Sequence, residues 1–174
     1  MGCIKRTFNK KKFIEVLHYV ISKTENSANV GKTVLYKLLY FNDFNYYERT
    51  EAMMTGETYA KLTHGPAPCH FNTIVKEMET AGLIQINSVP YHGKDQFKYK
   101  SLIKPEPVLL SKEEITNIND TLKRYGKMNA KEIEMHSHKD TPWVLAEEKA
   151  TLDYEFVFYR TKEMAVREYP DDND

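Results

Sequence analysis

The stretch from Thr33 to Tyr47 constrains this chain more than any other part of it. After Thr33 it reads Val-Leu-Tyr-Lys-Leu-Leu-Tyr-Phe-Asn-Asp-Phe-Asn-Tyr-Tyr, which puts apolar side chains on almost every face of a helix. Such a helix has no face that gains from water, so other elements must enclose it. The segment therefore predicts a central buried helix with Thr33 as its N-cap. A chain of 174 residues is long enough to build that enclosure as one domain. We place the domain at 1–170 and read 171–174 as a frayed acidic tail.

The enclosing elements follow from spacing and punctuation. Phe13, Val16, Leu17, Val20 and Ile21 recur at helical intervals and predict a first helix over Lys12 to Thr24. From Glu51 to Thr63 the pattern weakens, with Gly56 breaking it. His64-Gly65-Pro66-Ala67-Pro68 then reads as a rigid turn. Phe71, Ile74, Val75 and Met78 resume the helical spacing, and Gly82 stands where a helix C′ glycine belongs. Ile84 and Ile86 alternate, as do Phe97 and Tyr99. They predict two short strands, Leu83 to Val89 and Gln96 to Lys100, joined by a Tyr91 to Asp95 loop. Ser111 with Glu114, and Asn129 with Glu132, are spaced as capping boxes for two further helices, the first ending at Gly126. The expected fold class is α+β and mostly α-helical: a central buried helix surrounded by helices, with one β-hairpin in a winged-helix-like arrangement.

Composition narrows the function. Lysine plus arginine equals aspartate plus glutamate at 25 each, so attraction of the whole chain to nucleic acid or an anionic membrane is not expected. No apolar run is long enough to span a membrane. The basic Met1 to Lys12 stretch lacks the apolar core of a signal peptide. Cysteine usage favours reading Cys3 and Cys69 as two free thiols in a reducing compartment.

Four chemistries can be weighed on the residues. His136, His138 and Asp140 lie close in sequence, but i and i+2 side chains on a helix point apart and no strong zinc spacing exists. Helix-end hydrogen bonding, with Asp140 or Thr141 capping a turn opened by Pro142, is the simpler reading. Cys69 precedes a helix start, where the dipole can depress a thiol pKa, yet His70 beside it in sequence is not thereby placed as a base. Gly31-Lys32-Thr33 ends like a phosphate loop, but Asn26 stands where the first glycine is needed. A DNA-binding use would rely on Asn72, Thr73 and Lys76 with hairpin residues Lys94, Lys98 and Lys100, against Glu77 and Glu79. Twelve tyrosines, eight phenylalanines and one tryptophan exceed what the core needs; about half read as core, and the rest point to a protein-recognition surface. It would be sought first at exposed tyrosines near the hairpin and at the His64 to Pro68 turn.

The order of these pieces resembles a known family. Lys37-Leu38-Leu39-Tyr40-Phe41-Asn42-Asp43-Phe44 is similar to the "KLLYFaDf" signature of the Panacea domain, which includes SocA-like antitoxins and phage-associated proteins. Thr55-Gly56-Glu57-Thr58-Tyr59 resembles "itGxxY". Gly65-Pro66-Ala67-Pro68 with Phe71 resembles "GPvPxxF", and Met78 to Ile84 resembles "L..dG.I". Ser137-His138-Lys139-Asp140-Thr141-Pro142-Trp143 resembles "SHxDxPW". Asn42 departs from the family's small residue. The resemblance implies a cytoplasmic antitoxin, and with no convincing catalytic or metal-ligand pattern in the residues, no enzyme activity, cofactor or metal is expected. Its partner would be a cognate protein toxin, and some members also deliver their toxin to the ClpXP protease. The motif residues themselves, among them Gly65, Pro66, Phe71, Pro142 and Trp143, read as architectural. A winged-helix-like transcriptional regulator is the alternative.

Overall fold

The computed structural model describes residues 7–171. The first helix, α1 (Lys10–Thr24), begins earlier than its apolar stripe because Asn9 accepts from the Lys12 N–H at 3.1 Å and caps it. The second, α2 (Lys32–Thr50), is the central helix, and every residue from Lys37 to Glu48 is buried. Its N-cap is Gly31 and not Thr33, and no side chain caps it. Glu51 closes it in the left-handed region, its N–H donating to the Tyr47 carbonyl.

The segment read as a rigid turn is a second hairpin. Strands β1 (Tyr59–Leu62) and β2 (Gly65–Pro68) pair antiparallel with Tyr59 opposite Pro68 and Leu62 opposite Gly65. Two prolines in four residues argue against a strand, and the chain accommodates them by putting β2 at the edge. Pro66 and Pro68 alternate with Ala67, so their missing N–H groups fall on the side away from β1. The strand as a whole packs against α2. On its other flank β1 takes an isolated bridge, Ala60 to Thr151, with Leu152 N–H donating to the Tyr59 carbonyl at 2.8 Å.

Helix α3 (Phe71–Thr80) buries Phe71, Ile74, Val75 and Met78, and Gly82 follows it at φ +74°. Strands β3 (Ile84–Tyr91) and β4 (Lys94–Ser101) run longer than their alternation predicts and are joined at His92-Gly93. This hairpin packs on α1, α2 and α3. Lys98 is used in that packing: its Nζ donates to the Ser27 and Val30 carbonyls at 2.7 Å each. Helices α4 (Lys112–Tyr125) and α5 (Ala130–Ser137) open with the two expected capping boxes, and Gly126 is the C-cap of α4. A short α6 (Thr141–Leu145) and a 3-10 helix (Tyr154–Tyr159) complete the described residues. The buried apolar side chains form one cluster around α2, which touches α4, α5, β2, β4 and the 3-10 helix. The fold is α+β, with two separate antiparallel hairpins among the described residues where one was expected. Cys3 and residues 172–174 of the acidic tail lie outside them.

Candidate functional site

Burying α2 also buries its polar side chains, and each must find a partner or cost several kcal/mol. Asp43 accepts from the Thr55 hydroxyl at 2.7 Å, the Tyr59 hydroxyl at 2.6 Å and the Thr55 N–H at 3.3 Å. Burial raises its pKa to about 6, against the pull of these donors. The folded protein therefore holds a proton that the unfolded chain has already released. Asp43's contribution to stability is full below about pH 4 and declines as pH rises through 6. Relative to Asp43→Asn, the wild type is expected to lose up to about 3 kcal/mol between pH 4 and 7. Denaturation midpoints of both proteins across that range check this; parallel curves would contradict it.

A second polar cluster joins α2 to the C-terminal segment. Arg160 meets Asp140 through two hydrogen bonds of 2.8 and 2.7 Å, and reaches Asn45 at 2.8 Å and Glu48 at 3.1 Å. Tyr40 donates its hydroxyl to Asp140 at 2.8 Å. Glu48 in turn accepts from the Val166 and Arg167 N–H groups. Asp140 is thus the N-cap residue of α6 by position, but its side chain makes no capping bond there. The carboxylate turns inward to Arg160, which pairing across the sheetless C-terminal segment makes the better-satisfied arrangement.

Other residues separate rather than converge. His136 lies against Phe41 and Tyr125, whereas His138 stacks on Trp143 with ring centres 4.2 Å apart. Trp143 is half-buried and lies under Lys61, whose Nζ is 4.1 Å from the ring centre. Among the described residues no three His, Cys, Asp or Glu side chains gather as a metal site. His70 donates from Nδ1 to the buried Glu57 carboxylate at 2.6 Å and stacks on Phe8. Cys69 is exposed, and partial burial together with Glu57 raises its thiol above the ordinary range, the opposite of what a nucleophile needs. Asn42, the departure from the family signature, accepts at its side-chain oxygen and its carbonyl from Asn117 on α4, at 2.9 and 3.0 Å. No local pattern in the sequence marks that partner.

The remaining motif residues lie in the same interior. Leu38, Leu39, Tyr40 and Phe41 are core, as are Tyr59 and Phe71. Gly56 (φ +70°) lies so close to the Thr7 carbonyl that a Cβ would come within 2.3 Å of it. Gly65 (φ +105°) rests on Lys37 and Ser137. Lys37 is buried, and burial lowers its pKa to about 8, with Glu134 opposing the shift.

One concave surface opens beside this interior. A cleft of about 730 Å3 lies between the β3–β4 turn and the first turns of α2 and α5. It brings Tyr91 of the hairpin and His64 of the β1–β2 turn onto one surface, with Lys32, Lys94 and Lys131 around them. His64 is within 3.0 Å of Glu134 on its wall.

The family described as "Antitoxin SocA-like, Panacea domain" matches residues 35–144, a stretch that runs from the first turn of α2 to α6 and includes both hairpins. No curated protein matches the chain. No solved structure matches it either. No helix of the described residues is long and apolar enough to cross a membrane. With more than half of its length matched, from the central helix to the tryptophan of α6, the chain belongs to the SocA-like antitoxin family of Panacea domains.

Proposed function

We propose that this chain is an antitoxin that binds a cognate protein toxin stoichiometrically and neutralises it in the cytoplasm, without catalysing a reaction. The family match over residues 35–144 carries the reading. Two structural observations support it. Most of the motif residues are buried in the core, which suits a scaffold role and leaves binding to other residues. The residues with catalytic potential stand apart: His136 and His138 pack on different aromatic rings, and the Cys69 thiol is raised.

DNA is the poorer partner. The outward side of α3 sets Lys76 against Glu77 and Glu79, and Lys98 is committed to two loop carbonyls. Nothing in the geometry favours delivery of the toxin to a ClpXP-type protease. Co-expression with the product of the adjacent gene tests the proposal. The expected result is a stable complex and restored growth; neither complex nor rescue would refute it. Cys69→Ser is expected to rescue growth as well as the wild type, and loss of rescue by a folded Cys69→Ser protein would point to an enzyme instead.

A further inference from the structure

We propose that the cleft between the β3–β4 turn and the first turns of α2 and α5 is the toxin-docking surface, and that it takes an acidic segment of the partner. This rests on the antitoxin reading and adds the partner's chemistry to it.

Charge is the first argument. The chain as a whole is neutral, yet three elements each bring a lysine to this one cleft: Lys32 from α2, Lys94 from β4 and Lys131 from α5. None of the three is ion-paired with a carboxylate among the described residues. The cleft has two carboxylates of its own, Asp95 and Glu134. Glu134 is already engaged by His64 at 3.0 Å and faces the charge of Lys37. The balance is positive, and a concave wall of low dielectric concentrates it.

The second argument is an acceptor that the fold does not supply. Helix α2 runs 19 residues, and its first turn lines the cleft with no side-chain cap and no acidic residue. Its N–H groups and the positive end of its dipole favour a carboxylate. The neighbouring α5 differs, because Asn129 and Glu132 close its N-terminus as a capping box.

Lys37 supplies the third, independent argument. It is 2% exposed, with its Nζ 5.8 Å from the centre of the Tyr36 ring. It sits against Gly65, next in the chain to His64 on the cleft wall. Its charge adds to the positive potential behind that wall, which an arriving anion would lower. Tyr91 and the half-exposed Phe97 give the same cleft an apolar side, so the segment that fits combines carboxylates with an aromatic or aliphatic residue. The hairpin that forms this wall is held down: a Cβ on Gly31 would meet the Gln96 side chain at 2.7 Å.

The test uses the full chain and a fluorescein-labelled peptide of glutamate and leucine. A lysine–leucine peptide and a single-stranded DNA oligonucleotide of equal length form the other arms. The glutamate peptide is expected to bind, more weakly as salt rises. The variant K32E/K94E/K131E is expected to lose about tenfold or more in affinity and to lose growth rescue in co-expression, while K162E, outside the cleft, changes neither. Lys131→Gln, at an exposed helix start, is expected to weaken binding about threefold and carries the test if the triple variant does not fold. Absence of peptide binding, equal affinity for the lysine variants, or preference for DNA would overturn the proposal. If the wild type itself gives no rescue while the glutamate peptide binds through the three lysines, the antitoxin reading falls and the acidic-peptide site stands.

Discussion

Arg160→Ala is expected to cost about 3–5 kcal/mol of folding stability. The guanidinium is 1% exposed at its side chain and is shared by two fully buried carboxylates, Asp140 and Glu48. Removing it leaves both anions in the interior with no cation, together with the Asn45 oxygen that it also bonds. The loss spreads beyond the pair. Asp140 is held by Tyr40 of the central helix, and Glu48 holds the backbone of Val166 and Arg167, so one side chain ties α2, α6 and the C-terminal segment together. Since a domain of this size is stable by only about 5–15 kcal/mol, the alanine variant loses a large share of its margin. Arg160→Lys provides the graded measurement. It keeps the charge but lacks the fork that meets Asp140 through two nitrogens, and its loss should fall between wild type and alanine. Urea denaturation of the three proteins reads the difference. A cost below about 1 kcal/mol for alanine would mean that the cluster does not hold the C-terminal segment.

Gly65→Ala is expected to cost about 2–5 kcal/mol, from two sources that a second variant separates. At φ +105° the backbone lies where an L side chain is strained, a cost of about 1–2 kcal/mol. The new Cβ would also sit 2.7 Å from Lys37 Cε and 2.7 Å from Ser137 Oγ, and both atoms belong to side chains that are themselves buried. Forcing them aside adds about 1–3 kcal/mol. Gly93→Ala is the control: φ is +77° and nothing lies within 4 Å of the added carbon, so only the backbone part should be lost. Equal destabilisation of the two variants would show that the contact with Lys37 and Ser137 carries no energy.

Much of the helical part of the fold could be read from the chain because its signals are local. The stripe of Phe13, Val16, Leu17, Val20 and Ile21 is buried in α1, and the Ser111–Glu114 and Asn129–Glu132 boxes open α4 and α5 as their spacing predicts. Gly82 and Gly126 end their helices within one residue of the expected place. Each of these signals is decided by neighbours three or four positions away, which is the range over which a helix interacts with itself. The apolar encirclement of α2 likewise foretold its central position, since burial was the one way to satisfy it.

The hairpin β1–β2 and the polar clusters had no such local basis. Gly-Pro-Ala-Pro has poor strand propensity and becomes β2 because it packs on α2 and pairs with β1. Asp140 looked like a cap from its neighbours, yet its carboxylate turns to an arginine 20 residues on. Asn42 meets an asparagine 75 residues away. The cleft too joins a hairpin turn to two helix starts from distant parts of the chain. What the sequence determined by itself was where the helices lie and which one is enclosed, because periodicity and capping act within a few residues. Which buried polar groups pair, and which cations gather at one opening, was decided by the tertiary structure alone. Those choices follow from the desolvation cost of leaving a group unpaired once the helices have packed.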